Sequence, residues 1–231
     1  MIQFVLMDIE GTTTSISFVH EVLFPYASQK LPAFIEANAQ DPLVQEELKS
    51  VKATVLAEQD NVINDEEAVV QLKAWIKEDR KHTALKSLQG YLWKQGYEQG
   101  EYQSHIYDDV VPVLQEWQAK GVRMGIYSSG SVGAQKLLFG YSEKGDLRPY
   151  LSAYFDTKIG HKREVESYLR IQQALDVPNG DILFLSDVAE ELDAAKVAGF
   201  QVCQLVRPGT QASDRHPGVD SFVDLGSFIH A

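Results

Sequence analysis

Two carboxylates, Asp8 and Glu10, follow the apolar run from Ile2 to Met7, and Gly11 and the threonines at 12–14 come directly after them. Oxygen ligands are those that hard divalent cations prefer in proteins. A carboxylate held at the end of a buried strand is costly unless a cation or several donors face it. Glycine also lets the backbone approach a ligand closely. The spacing therefore favours a divalent cation beside an oxyanion such as phosphate, the alternative being a polar turn that only closes the strand.

Further candidate site residues follow other apolar runs or stand at the start of the helix that comes after such a run: Ser128, Ser129, Gly130, Lys162 and Asp187. Each has a bland interpretation when taken alone, because serines are common in turns and lysines are usually solvated. The carboxyl ends of parallel strands lie along one edge of a sheet, where open α/β folds bind their ligands. Because such residues recur at several predicted strand ends, we expect them to converge with Asp8 in one site.

The remaining pattern predicts an α/β fold with a Rossmann-like parallel sheet. From Asp108 onwards helical and strand patterns alternate, which is typical of right-handed β-α crossovers. The strands predicted after the first run lie at 122–127, 154–155, 182–185 and 201–206, with a last edge strand at Phe222 and Val223.

The stretch from 15 to 103 has helical periodicity and no strand pattern. A helix start is predicted at Asp41 and Pro42, and another at Asn64, where acidic residues follow. About ninety residues of helix between two strands favour an inserted all-helical cap domain. We expect an α/β core domain over 1–14 and 104–231 and a helical cap domain over 15–103.

Composition limits the function further. The chain has 231 residues and a net charge of −12, which argues against nucleic-acid and anionic-membrane partners because both attract basic surfaces. No apolar run is long enough to span a membrane and the start is unlike a signal peptide, so we expect a cytoplasmic protein. The single Cys203 excludes an internal disulfide, and no two histidines have the spacing of a helical zinc site.

The motifs resemble those of a known superfamily. Four features are similar to the four motifs of the haloacid dehalogenase-like (HAD) hydrolases: Asp8-x-acid-Gly-Thr, a serine at a strand end, a lysine and Ser186-Asp-x-x-x-Glu191. The helical insertion has the same position in the chain as the first type of cap in that superfamily. More closely, several strings resemble the enolase-phosphatase E1 (acireductone synthase) family: Asp8-Ile-Glu-Gly-Thr-Thr13, Phe24-Pro-Tyr26, Tyr127-Ser-Ser-Gly-Ser131, Gln135-Lys-Leu-Leu-Phe-Gly140, Phe155-Asp-Thr-Lys-Ile-Gly-His-Lys162 and Val206-Arg-Pro-Gly209.

This resemblance implies Mg²⁺ and a phosphorylated diketone, 2,3-diketo-5-methylthiopentyl 1-phosphate, that is enolised and dephosphorylated in methionine salvage. It implies that Asp8 is the nucleophile and forms an aspartyl phosphate. Mg²⁺ would be held by Asp8, Asp187 and Glu10, the last through its side chain or its backbone carbonyl. The second possibility leaves the Glu10 side chain for acid-base chemistry.

The resemblance to this family also implies roles for the other site residues. Ser128 and the amides of Ser129 and Gly130 would hydrogen-bond the phosphoryl oxygens, and Lys162 would neutralise their charge. Glu191 would orient Lys162 or metal-bound water. Glu10 is the candidate base for enolisation, with a cap residue as competitor.

Three alternatives stay open at this point. The first is another capped phosphatase that acts on a sugar phosphate or phosphoglycolate. The second is a dehalogenase, which needs no metal, although Glu10 and Asp187 argue against it. The third is a noncatalytic binding protein on the same fold. The family further suggests a monomer.

Overall fold

The chain divides into two compact units. A computed structural model describes residues 1–229, and contacts within it group Met1–Ile16 with the chain from Gln103 onwards, and Ser17–Tyr102 as a second unit. Residues 230 and 231, which end the predicted core domain, lie outside the described residues. Within those described, no helix is both long and apolar enough to cross a membrane.

The first unit is built on six parallel strands in the order β3-β2-β1-β4-β5-β6. In chain order they are β1 (Phe4–Met7), β2 (Arg123–Tyr127), β3 (Ala153–Phe155), β4 (Ile182–Ser186), β5 (Gln201–Leu205) and β6 (Gly218–Val219). The predicted α/β parallel sheet is confirmed.

Residues 1–229 contain ten α-helices: α1 (Ile16–Phe18), α2 (Phe24–Ala37), α3 (Pro42–Gln59), α4 (Asp65–Lys77), α5 (Thr83–Glu98), α6 (Val110–Ala119), α7 (Val132–Gly140), α8 (Val165–Leu175), α9 (Ala189–Val197) and α10 (Gly226–Ile229). Five of them, α6 to α10, follow strands or precede them in the first unit. The other five belong entirely or mainly to the insertion.

The central strand β1 is buried on both faces of the sheet, as a continuous apolar run predicts. Its side chains alternate between two hydrophobic clusters because successive residues of a strand point to opposite faces. Val5 and Met7 pack with Trp117 of α6 on one face, whereas Phe4 and Leu6 pack with Tyr168 of α8 on the other. This double burial holds the carboxyl end of β1 in a fixed position.

The insertion has its own core and its own helix caps. Asp41 accepts a hydrogen bond from the amide of Leu43 at the start of α3, and Asn64 and Glu67 form a reciprocal capping box at the start of α4. Both predicted starts are therefore correct. The helices bury a cluster that includes Leu31, Val51, Leu72, Trp75 and Leu88.

One predicted element, the last edge strand, is wrong, and one helical element was not predicted. The predicted edge strand at Phe222 and Val223 is wrong, because Phe222–Leu225 is a 3₁₀ helix whose start is capped by Ser221, and the edge strand lies earlier at Gly218–Val219. A π-helix spans Val19–Leu23 between α1 and α2. Pro25 lies in the first turn of α2, where the missing amide costs little.

Candidate active site

Asp8 lies at the carboxyl end of the central strand, between two neighbours. Met7 pairs with Ile126 of β2 and with Leu185 of β4, and the amide of Asp8 continues this pattern by donating to the carbonyl of Leu185 at 2.9 Å. Only 4% of Asp8 is exposed. Its carboxylate is therefore buried and needs partners.

The chain after Asp8 forms a tight turn that curls back on the strand end. The amides of Thr12, Thr13 and Thr14 all donate to the carbonyl of Ile9, at 2.9–3.2 Å. The hydroxyl of Thr13 lies 3.2 Å from the carbonyl of Asp8 and donates to it. Oδ1 of Asp8 accepts from the amide of Ile9 at 2.8 Å. These bonds fix the orientation of the Asp8 carboxylate.

A buried lysine lies between two carboxylates. Nζ of Lys162 is 2.6 Å from Oδ1 of Asp8 and 2.6 Å from Oε2 of Glu191, and all three side chains are nearly inaccessible to solvent. The hydroxyl of Ser186 donates to Oε2 of Glu191 at 2.9 Å and lies 3.5 Å from Oδ2 of Asp8. The structure therefore brings Asp8, Lys162 and Glu191 into direct contact at this edge of the sheet.

Burial and charge act against each other in this group. Burial alone would lower the pKa of Lys162, but the carboxylates of Asp8 and Glu191 hold that pKa above its usual value. Burial raises the pKa of Glu191, and the charge of Asp8 raises it further. Lys162 therefore keeps its proton, and the raised pKa of Glu191 means that this acid is protonated more easily than an ordinary carboxyl.

Local hydrogen bonds place Lys162 before α8 begins. The hydroxyl of Tyr168 in α8 donates to the carbonyl of Lys162 at 2.6 Å. The hydroxyl of Tyr127 donates to the carbonyl of Gly160 at 2.9 Å, and Ser167 donates to the carbonyl of His161 at 2.8 Å. The lysine backbone is thus held by both β2 and α8.

Asp187 follows β4 and faces the turn after Asp8. A side chain added at Gly11 would overlap the carboxylate of Asp187, and the φ angle of Gly11 is +73°, so only glycine fits there without strain. Burial, followed by the charges of Asp8 and then Glu10, raises the pKa of Asp187 to about 7. Its Oδ1 is buried and has no hydrogen-bond partner among residues 1–229.

These residues fit a divalent cation. The carboxylates of Asp8 and Glu191 share the ammonium of Lys162, whereas the buried Oδ1 of Asp187 has no donor and is the kind of group that a cation satisfies. In the described part of the chain, no three His, Cys, Asp or Glu side chains are grouped around one point. The side chains here that could contribute to a cation site are the carboxylates of Asp8 and Asp187.

Glu10 is half-buried in the same turn, where it forms an isolated β-bridge with Thr14. Its charge acts on Asp187, as the raised pKa of that residue shows.

The serine loop follows β2, the strand beside β1. Ser128 is fully buried and its amide donates to the carbonyl of Phe155 at 3.2 Å. Its hydroxyl accepts from the amide of Gly130 at 3.1 Å, so this amide, expected to face phosphate, is engaged within the loop. Gln135 of α7 donates to the carbonyls of Gly130 and Phe155, both at 2.8 Å. The loop shape is therefore set before any ligand binds, and Ser129 lies at its tip.

Two site residues were not selected from the sequence. Ser186 joins Glu191 to Asp8, and Arg207 follows β5, where its guanidinium lies 3.2–3.3 Å from the carbonyl oxygen of Thr12 and donates to it. Both are polar residues at the carboxyl end of a buried strand. The rule that indicated Asp8 and Asp187 therefore also points to Ser186 and Arg207.

Comparison with known proteins agrees with this geometry. The model of the haloacid dehalogenase-like hydrolase family matches residues 2–199. An enolase-phosphatase E1 from Picosynechococcus sp. is 53% identical over 222 residues, covering 96% of this chain and 97% of that protein. One from Stenotrophomonas maltophilia is 52% identical over 229 residues, covering 96% and 97%.

A solved structure extends the match to the fold. The UTR4 protein of Saccharomyces cerevisiae is 35% identical and has a TM-score of 0.80, covering 97% of this chain and 100% of that one. The matches cover 96–97% of this chain and therefore reach across both units. The chain therefore belongs to the haloacid dehalogenase-like hydrolases and, within them, to the enolase-phosphatase E1 family.

Proposed function

We propose that the protein is a metal-dependent enolase-phosphatase that converts 2,3-diketo-5-methylthiopentyl 1-phosphate to the acireductone and phosphate, a step of methionine salvage. The relatives are named for this pair of activities, and the identity to them is high over nearly the whole chain. The observation that carries the proposal is the buried Asp8 carboxylate, held at a strand end by Lys162 and the amide of Ile9.

Asp8 is the nucleophile of this proposal. One of its carboxylate oxygens forms a bond to phosphorus while the ester oxygen leaves, and water then cleaves the aspartyl phosphate. A carboxylate is a useful nucleophile only when it stays ionised and correctly oriented. The contacts of Oδ1 with the ammonium of Lys162 and with the amide of Ile9 orient this carboxylate.

Two charges repel when the phosphate approaches Asp8, by about 4 kcal/mol per pair at 4 Å and an effective dielectric constant of 20. Lys162 offsets part of this repulsion because its ammonium already lies against Asp8. Ser128 and the amide of Ser129 would bind the phosphoryl oxygens; the proposal is supported by their position after β2, the strand beside β1.

Enolase-phosphatases of this superfamily use a divalent metal, and we propose that it is Mg²⁺ here. Asp8, Asp187 and the carbonyl of Glu10 would hold the ion, which supplies charge neutralisation at phosphate and polarises a substrate carbonyl. The orphaned oxygen of Asp187 supports this assignment. A carbonyl contact leaves the Glu10 carboxylate to take the proton during enolisation.

The substrate is a small phosphorylated molecule, and the helical insertion is the part of the chain that we propose selects it. A cytoplasmic location and a monomeric state stay predictions. A second candidate function is a capped phosphatase for sugar phosphates or phosphoglycolate, since the same nucleophile and lysine would serve it.

The test is to follow phosphate release and enol absorbance together, with the diketone phosphate as substrate. We expect both signals with Mg²⁺ and neither in excess EDTA. A panel of sugar phosphates and phosphoglycolate, offered at equal concentration, separates the second candidate. Faster turnover of any of these than of the diketone would overturn the substrate assignment, and full activity in EDTA would overturn the metal.

A further inference from the structure

A buried ion pair lies behind the turn that carries Asp8. Both terminal nitrogens of Arg207 contact Asp109, Nη1 at 2.7 Å from Oδ2 and Nη2 at 3.0 Å from Oδ1. Only 7% of Arg207 is exposed. The paired contacts have the fork geometry that arginine makes with a carboxylate, in which both distance and orientation are fixed.

The same guanidinium reaches the catalytic turn. Nε and Nη2 of Arg207 both donate to the carbonyl of Thr12, at 3.3 and 3.2 Å, and Nη1 donates to the carbonyl of Asp220 at 3.0 Å. Thr12 is fully buried, so its carbonyl would lose its partner without this arginine. The guanidinium thus ties the turn to the C-terminal part of the domain.

Asp109 is itself held from several sides. Its Oδ2 accepts from the hydroxyl of Ser221 at 2.7 Å and from the amide of Phe222 at 2.8 Å. Burial tends to raise the pKa of Asp109, but Arg207 and these two donors lower it overall, so the pair stays ionised. The ring of Tyr107 lies 4.1 Å from the guanidinium carbon and stacks with it.

We propose that Arg207, fixed by Asp109, is a positioning residue that holds the carbonyl of Thr12 and thereby orients the turn bearing the nucleophile. This inference rests on the proposed function for its kinetic consequence only. Arg207 touches neither Asp8 nor Lys162 in the contacts above. It acts through the backbone that connects Thr12 to Asp8. The amides of residues 12–14 close this turn by donating to the carbonyl of Ile9.

The test uses Arg207→Lys in the full-length protein. Lysine keeps the positive charge that Asp109 needs, but its single ammonium lacks the planar fork that spans both Asp109 and Thr12. Amide hydrogen exchange, measured without substrate or metal, should speed up about tenfold or more in the Gly11–Thr14 turn and stay unchanged in β4. With substrate, kcat should fall about tenfold while KM changes less than about threefold, since misplacing a reacting group slows chemistry more than binding.

Arg148→Lys is the matched control. Arg148 makes a similar fork with Asp146, at 2.7 and 2.8 Å, but on the surface. This variant should change neither exchange in the turn nor kcat. Asp109→Asn is the second variant, because it frees Arg207 without altering it, and it should act in the same direction as Arg207→Lys.

Unchanged exchange in the Gly11–Thr14 turn of Arg207→Lys would overturn the proposal. So would a uniform acceleration across the turn and β4, or failure of both variants to fold, because the pair would then support the domain as a whole. If wild-type protein released no phosphate, the proposed function would fail, and the exchange measurement would still decide the role of Arg207.

Discussion

At the scale of single residues, the site has more acidic side chains than its one lysine can pair with. Lys162 contacts both Asp8 and Glu191, and Asp187 has an orphaned oxygen nearby in the same strand edge. Such a group is stable only if protons or a cation compensate the remaining charge. The chemistry that we propose draws on this same imbalance, because a divalent ion and a phosphate would bind where the charge demands them.

Replacing Lys162 by Met should expose this imbalance. Two buried carboxylates would lose their shared partner, and removing one partner of a buried pair typically costs about 3–5 kcal/mol. In metal-free protein the loss should be larger at pH 8 than at pH 5, because burial raises the pKa of Glu191 and its protonation at low pH removes part of the uncompensated charge. Urea unfolding at the two pH values measures it.

Lys158→Met is the control for that measurement, since Lys158 is exposed in the same segment. It should leave the free energy of unfolding nearly unchanged at both pH values. An equal loss for Lys162→Met at pH 5 and pH 8 would contradict the assignment of charge in the buried group.

Gly11→Ala should affect both stability and cation binding. Its φ of +73° makes a side chain cost about 1–3 kcal/mol, and the added carbon would displace Asp187. Gly121→Ala has nearly the same φ, +76°, but open space around it. Calorimetric titration with Mg²⁺ should show weaker binding for Gly11→Ala alone, whereas equal binding by both variants would show that Asp187 does not hold the ion.

At the scale of elements, the helical insertion is stabilised by caps that its sequence encodes locally. Asn64→Ala removes the acceptor for the amide of Glu67 and should cost about 0.5–2 kcal/mol. Fluorescence of Trp75, a buried residue of the same helix, follows the unfolding. Asn61→Ala, in the exposed segment before the cap, serves as control, and a loss of the same size there would remove the capping explanation.

The strand ends could be predicted from the sequence because their signal is local. The run at Ile2 to Met7 is apolar enough to be a buried strand, and Asp8 follows it directly. Parallel pairing then brings Asp8 and Asp187 to one edge without further information. Contact between Lys162 and Glu191 needed the resemblance to known motifs, since neither periodicity nor spacing relates the two residues.

Other features have no local signal. The π-helix at Val19–Leu23 differs from an α-helix only in its hydrogen-bond pattern, which side-chain periodicity over five residues cannot distinguish. Phe222 and Val223 were misassigned as a strand because two apolar residues suit either a strand or a 3₁₀ turn, and Ser221 decides between them by capping. The pairing of Arg207 with Asp109 depends on tertiary structure, because the partners are 98 positions apart in the sequence.

At the scale of the whole molecule, a net charge of −12 makes stability sensitive to cations. A ligand that binds only the folded state stabilises it by about 2.7 kcal/mol at a concentration one hundred times its Kd. Mg²⁺ should therefore raise the unfolding midpoint of the wild-type protein. Asp187→Asn should abolish this response, and a response that persists in full would place the ion elsewhere.

Asp187 also gives metal-free stability a defined pH dependence. Its pKa of about 7 lies above that of an unfolded aspartate, so the folded state binds the extra proton between these values and loses stability as pH rises through them. Asp187→Asn should flatten this part of the profile and make metal-free protein more stable than wild type at pH 8. A profile identical to that of wild type would show that Asp187 titrates normally.

The most direct measurement is phosphate release from the diketone phosphate by wild type, Asp8→Asn and Asp224→Asn, with Mg²⁺ present and folding checked by circular dichroism. Asp224 is an exposed acid in the same domain. The account predicts that Asp224→Asn turns over like wild type, and that Asp8→Asn folds normally but loses about 10³-fold or more in kcat, because the amide cannot form the phosphoryl intermediate. Turnover by folded Asp8→Asn at the wild-type rate would contradict it.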